Sequence, residues 1–153
     1  MGLKLYLKDD SNNKIEFSYT QWDDIKLKIL KMLINYIEIL LISNTINKKN
    51  MIFNDDLKNI VNLFCEEPQV HYFLSYITTE EIDALIYFNL YGAYIFLDKG
   101  VCDTYYSIGN SYDMINTFTL IPAKEDPDII LIMEKLIKLF TTSIEQKKII
   151  VIY

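Results

Sequence analysis

The residues of this chain whose types could carry chemistry are paired carboxylates, one histidine, two cysteines and twelve tyrosines. Paired carboxylates exchange protons with a substrate or hold magnesium. Here Asp23 with Asp24, Asp55 with Asp56, Glu80 with Glu81, and Glu125 with Asp126 sit where helical patterns begin. At such positions a carboxylate caps free amides and complements the helix dipole. Asp9 and Asp10 fall among turn formers. Only Glu66 and Glu67 close a helical pattern, where the dipole disfavours them, so they are the pair left for a partner contact.

His71 is the only imidazole. A thiol nucleophile needs a base and a third group to orient it, and the spacing of Cys65, Cys102 and His71 marks none. A structural zinc site needs four ligands, and one histidine with two separated cysteines falls short. The turn at Asp9–Asn13 lacks the glycine and ligand spacing of a calcium loop. The sequence contains no phosphate-binding glycine loop, no G-x-S-x-G and no H-E-x-x-H. The expectation is therefore no enzyme, no cofactor and no metal. A carboxylate- or Cys102-dependent enzyme stands as a third reading. The cysteines read as reduced, half-buried thiols, although a single disulfide between them is arithmetically open.

The tyrosines are the remaining signal. Tyr87, Tyr91 and Tyr94 recur at helix spacing and share one face, distinct from that of Ile82, Ile86 and Ala93. Tyr105, Tyr106 and Tyr112 follow. Tyrosine suits protein interfaces because it joins a rigid apolar ring to a hydroxyl. The competing reading is A/T-rich coding that fills the outer core with tyrosine. All 15 basic residues are Lys, and there is no Arg.

Net charge decides the partner class. At −6 the surface repels phosphate, and without Arg there is no bidentate fork for phosphate or guanine. Direct binding of nucleic acid is not expected on this basis. The same charge suits a basic protein, including one that handles nucleic acid. The most apolar run, Ile29 to Ile42, is crossed by Lys31, Asn35 and Glu38 and falls short of the roughly 20 residues that span a bilayer. With no leader visible, the expected location is cytoplasmic.

The elements that must position these residues follow from periodicity. Leu3, Leu5 and Leu7 alternate with polar residues, as do Ile15, Phe17 and Tyr19, giving a hairpin turning at Asp9–Asn13 in which Lys4 or Lys8 faces Glu16. Thr20 to Ser43 reads as a central helix, capped by Thr20 and surrounded on most sides. Its apolar face carries Trp22, Ile25, Ile29, Leu33 and Ile37, and its narrow polar stripe Asp24, Lys28, Lys31, Asn35 and Glu38. A second helix buries Leu57, Ile60, Val61 and Phe64 and ends before Pro68. Gln69 to Ile77 fits a short helix or a strand, and Pro68 favours the helix. Thr78 and Glu81 form a capping box for a helix running to Gly100 on Ile82, Leu85, Ile86, Leu90, Ala93 and Leu97. In that helix Gly92 weakens the turn or admits a close neighbour. Cys102 to Ser107 reads as strand or loop, and Ser107 or Asn110 caps a short helix. Asp126 and Pro127 open the last helix. Ile149 to Tyr153 is a β-branched run that must pair.

The fold class is thus α+β: one globular domain over residues 1–153, with a long central helix and a small sheet from the N-terminal hairpin and the C-terminal strand. The leading functional expectation is a small acidic domain that binds and blocks a basic partner, such as a nuclease or another nucleic-acid-handling protein. Toxin-neutralising immunity proteins and phage counter-defence inhibitors act in this way as classes, an analogy of size, charge and missing catalytic motifs. The candidate contacts are Tyr87, Tyr91, Tyr94, Tyr105 and Tyr106, with Glu66, Glu67, Asp98 and Asp103. The alternative is a self-associating scaffold, a homodimer built from the terminal strand and the tyrosine face.

Overall fold

A computed structural model describes residues 2–47, 53–64, 67–121 and 126–153, the side chains of 44–47 excepted. The polar run Asn47 to Asn50, which reads as a loop, lies outside the described residues from position 48 on, as do Cys65, Glu66 and Glu125. The elements run β1 (Gly2–Leu7), β2 (Asp10–Ser18), α1 (Tyr19–Asn47), α2 (Asn54–Phe64), α3 (Val70–Tyr76), α4 (Thr79–Tyr87), α5 (Tyr91–Lys99), β3 (Thr104–Tyr106), α6 (Ile108–Leu120), α7 (Pro127–Gln146) and β4 (Ile150–Ile152). This is an α+β fold, with the helices packed on a four-stranded antiparallel sheet of order β2-β1-β4-β3.

Alternation drives the sheet. Leu3, Leu5 and Leu7 are buried on one face of β1, and Phe17 joins them from β2. Lys4 pairs with Glu16 across the strands, and Lys14 reaches the same carboxylate at 3.1 Å. The turn is tighter than the run of turn formers suggests. It falls at Lys8 and Asp9, with Asp9 in the left-handed region at φ 63°. The excess residues are absorbed by a bulge, because Tyr6 pairs with Lys14 while Leu7 already pairs with Asp10. β4 lies inside the sheet. It pairs with β1 on one side and β3 on the other, and Lys4 and Tyr153 exchange both backbone bonds at 2.9 Å. Ile150 and Ile152 are fully buried, as a β-branched run between two neighbours requires.

α1 buries Trp22, Ile25, Ile29, Leu33 and Ile37 as the 3.6-residue period dictates, together with Leu30 and Ile34. It is less enclosed than its composition implies, since Ile39 and Ile42 are 56% and 61% exposed. Its cap also lies two residues earlier than Thr20. The Ser18 hydroxyl accepts from the Gln21 amide at 3.1 Å, and the Gln21 side chain accepts from the Ser18 amide at 2.8 Å. That reciprocal pair is a capping box. The boxes at Thr78 with Glu81 and at Ser107 with Asn110 form as their spacing requires, and Asp126 caps α7 with Pro127 in its first turn.

The helix expected from Thr79 to Gly100 is two helices. α4 stops at Tyr87, Asn89 adopts the left-handed conformation at φ 59°, and α5 starts afresh at Tyr91. Asparagine tolerates that region because its short polar side chain bonds locally. Ile86 consequently faces outward, 52% exposed. Gly92 admits a close neighbour: a Cβ there would lie 2.1 Å from the Asp113 carbonyl oxygen of α6. The Gly92 amide donates to Thr117 Oγ1, and that hydroxyl donates to the Asn89 carbonyl, each at 2.9 Å. One threonine thereby clamps the kink. Among the described residues no helix is long and apolar enough to cross a membrane.

Gly92→Ala should destabilise the fold despite alanine's better helix propensity. The clash with backbone outweighs the roughly 1 kcal/mol of propensity. A net loss of about 2 kcal/mol is expected, seen as a fall of roughly 4–8 °C in thermal midpoint. The two cap assignments separate cleanly: Ser18→Ala should cost about 1 kcal/mol, and Thr20→Ala should stay within about 0.5 kcal/mol of wild type. Urea titration of both variants distinguishes them.

Candidate functional site

α5 carries the densest part of the candidate site. Tyr91 and Tyr94 stand one helical turn apart, and their rings stack at 5.7 Å and 18°. Asp98 follows one turn later on the same face. Both rings are half-buried. Burial pushes both phenols up, as do nearby negative charges, Asp113 then Asp98 for Tyr91 and Asp98 for Tyr94. Burial also raises the Asp113 carboxyl. Among the described residues no lysine forms an ion pair with Asp98 or Asp113. The result is apolar ring surface beside acceptor-only carboxylates with no ion-pair partner among the described residues. That arrangement attracts an ammonium or guanidinium group on an apolar stem.

The pair is the end of a longer aromatic ladder. Tyr94 meets Phe73 at 6.5 Å, Phe73 meets Phe64 at 5.2 Å, Phe64 meets Tyr72 at 5.6 Å, and Tyr72 meets Tyr76 at 4.4 Å. Phe73 is buried, whereas Tyr72 and Tyr76 are 40% and 59% exposed. These two tyrosines were not among the sequence candidates. Their signal was the four-residue spacing, which becomes legible only once 70–76 is a helix rather than a strand.

The other candidates scatter. Tyr106 sits on β3 with no exposed surface, its hydroxyl donating to the Phe96 carbonyl at 2.9 Å and its ring stacked on Phe96 at 6.2 Å. It is a core residue and not a contact, and burial pushes its phenol well up. Adjacent strand residues point to opposite faces, so only one of Tyr105 and Tyr106 can face water. Tyr105 is the exposed one, and the Lys99 ammonium lies 5.5 Å from its ring centroid. Tyr87 closes α4 and packs on Phe53 and Phe88, each at 5.0 Å, so it does not share a helix face with Tyr91.

The named carboxylates do not gather at one site. Asp103 is exposed in the loop before β3, at φ 63°. Beside it the Tyr19 phenol is raised by a hydrogen bond to Cys102 and by the charge of Asp103. Cys102 is exposed, where a half-buried thiol was expected. Glu67 lines a separate groove of ≈ 600 Å³ with Lys31, Asn35 and Glu38 of α1. His71 is exposed on α3, because that short helix turns Phe73 inward. No group of three or more His, Cys, Asp or Glu suited to a metal ion comes together among the described residues.

Two stability measurements check this geometry. Tyr106→Ala should cost roughly 3–5 kcal/mol by emptying the core, whereas Tyr105→Ala should change stability by less than about 1 kcal/mol. For Asp113, a raised folded value means the native state binds its proton more tightly than the unfolded chain. Stability therefore falls as pH rises from the ordinary carboxylate value of 3.8 through the raised one. Asp113→Asn should remove that slope, raising the thermal midpoint at pH 7 and leaving it nearly unchanged at pH 3. No known protein family, no curated protein and no solved structure matches this chain.

Proposed function

We propose that this domain is a non-catalytic, acidic protein-binding domain that holds a basic partner and blocks it. The observation that carries the reading is the stacked Tyr91 and Tyr94 pair beside Asp98 and Asp113, carboxylates with no lysine ion pair among the described residues. A lysine or arginine of the partner would lay its stem on the rings and bring its charge to the carboxylates. Such a contact compensates acids that no lysine among the described residues pairs with. The net charge of −6 steers a basic partner toward the domain, and the tyrosines supply the desolvated centre. Tyr72 and Tyr76 extend the apolar surface along α3. The partner class is a basic protein, such as a nuclease or another nucleic-acid-handling protein, met in the cytoplasm. Tyr106 has no part in the contact, and Glu67 and Asp103 act only in long-range steering.

The scaffold alternative loses its first route in this fold, because the terminal strand already has a neighbour on each side.

Tagged domain incubated with host lysate at low and at moderate salt should retain one basic protein, with the yield falling as salt rises. Against that protein, Tyr94→Ala and Asp98→Asn should each weaken binding about tenfold, near 1.4 kcal/mol. Asp113→Asn should weaken binding while stabilising the free domain. Binding unchanged by all three substitutions would remove this surface from the reading.

A further inference from the structure

We infer that α1 docks against α1 of a second copy of this chain, antiparallel, about a two-fold axis passing between Ile34 and Asn35. The inference is independent of the blocking reading. It rests on the groove that runs along α1, walled on its far side by Glu67, Pro68 and Gln69.

The α1 side of the groove carries Leu27, Lys31, Ile34, Asn35 and Glu38, and the same helical stripe continues to Ile42. At 3.6 residues per turn these positions fall within an arc of about 100°. Lys31, Asn35 and Glu38 are exposed, Ile42 is 61% exposed, and Ile34 forms the floor at 3%. Among the described residues neither Lys31 nor Glu38 has an ion-pair partner.

The stripe is complementary to its own reverse. With the axis between positions 34 and 35, Lys31 faces Glu38 of the second copy and Glu38 faces its Lys31. Leu27 faces Ile42 of the second copy, which covers the most exposed aliphatic side chain among the described residues of the helix. The two Asn35 side chains meet beside the axis, where an amide pair fixes register as a buried asparagine does in a coiled coil. A two-fold contact requires this kind of self-complementarity. A basic peptide would satisfy Glu38 and Glu67 but oppose Lys31, whereas a second copy answers both signs of charge.

Size sets the strength. The stripe from Leu27 to Ile42 is about 22 Å long and about 10 Å wide. That is far below the roughly 800 Å² per partner of a standard interface. The dimer is therefore weak and appears with concentration, with a dissociation constant in the micromolar to millimolar range.

Sedimentation velocity from about 10 µM to about 1 mM measures it. Wild type should move from monomer to dimer across that range. Lys31→Glu and Glu38→Lys should each remain monomeric, because each sets like charges against each other twice. An equimolar mixture of the two variants should dimerise, since both contacts then join opposite charges, and so should the double variant. Circular dichroism verifies that the variants fold, as expected for exposed positions. A wild type monomeric at about 1 mM, single variants that dimerise as well as wild type, or a mixture that stays monomeric would each overturn the inference.

Discussion

The indole of Trp22 donates to the Gly100 carbonyl at 2.7 Å, joining positions 78 residues apart. Much of the molecule is arranged around that contact. Trp22 lies between Phe17, the last inward residue of β2, at 5.3 Å and Phe96 of α5 at 5.1 Å. Phe96 carries the stack on to Tyr106 of β3 and Phe118 of α6, and both of those rings meet Phe140 of α7. The approach is possible only without a side chain at Gly100. A Cβ there would fall 2.7 Å from the Phe96 oxygen and 2.8 Å from Trp22 Cζ2. Its φ of −75° is open to any residue, so glycine is required for space and not for conformation. The first turn of α1, the end of α5 and the start of β3 are thus held at one point, and the orientation of α5 follows. That orientation leaves Tyr91 and Tyr94 on the outer side of a helix whose inner side carries Ala93, Phe96 and Leu97.

What was legible in the sequence was whatever local chemistry determines. Capping boxes are written in four consecutive residues, and the one at Thr78 was readable for that reason, whereas Ser107 and Asn110, which stood as alternative caps, are the two halves of one box. At the first helix two such patterns compete, Ser18 with Gln21 and Thr20 with Asp23. Glutamine can accept from the cap amide while keeping its own amide in the helix, and the shorter aspartate reaches less well, so Ser18 prevails. The break at Asn89 was illegible because no proline or glycine marks it. It depends on Thr117, 28 positions away, holding the Asn89 carbonyl. β3 was ambiguous because a three-residue edge strand takes its identity from its partner β4, not from its own propensity. Of the candidate site, the helical spacing of Tyr91 and Tyr94 was readable, whereas Tyr87 was grouped with them only because the break at Asn89 was not. Whether Glu67 and Asp103 join them is a question of packing, and packing keeps them apart.

The acids of this chain divide by what neutralises them. Asp126 is held below the usual carboxylate range first by the Lys28 ammonium at 3.1 Å, then by the amides of α7 that it caps. Lys28 also reaches Asp24 at 3.0 Å, so the stripe of α1 is tied at its N-terminal end to the start of α7. These carboxylates are accounted for by the fold. Asp113 is not: it is partly desolvated, with its carboxyl raised and with no lysine ion pair among the described residues. Desolvation without a partner disfavours the charged form. A structure that selection had tuned for stability alone would place an amide or a lysine there. The two neighbouring phenols, raised first by burial and then by the nearby carboxylates, set this end of α5 apart from the capping acids.

Edges decide how such a domain can associate. An open sheet offers two unpaired rims, each a template for another strand. Here one rim is β2, distorted by the bulge after Tyr6 and carrying the Lys14 and Glu16 ion pair. The other is β3, three residues long, with Lys99 lying over the exposed face of Tyr105. Twist, charge and brevity all disfavour strand addition at these rims. The most apolar strand, β4, is enclosed between them. Association is thereby directed from the sheet to the helices. There two unlike surfaces remain, a tyrosine pair on α5 beside Asp98 of the same helix and Asp113 of α6, acids with no lysine ion pair among the described residues, and a stripe on α1 that carries both signs of charge. In the proposed reading the first takes a cation of another protein, and in the inferred dimer the second takes its own reverse. A domain with both would present two copies of its tyrosine surface when locally concentrated, raising avidity for a multivalent basic target without any new contact to it.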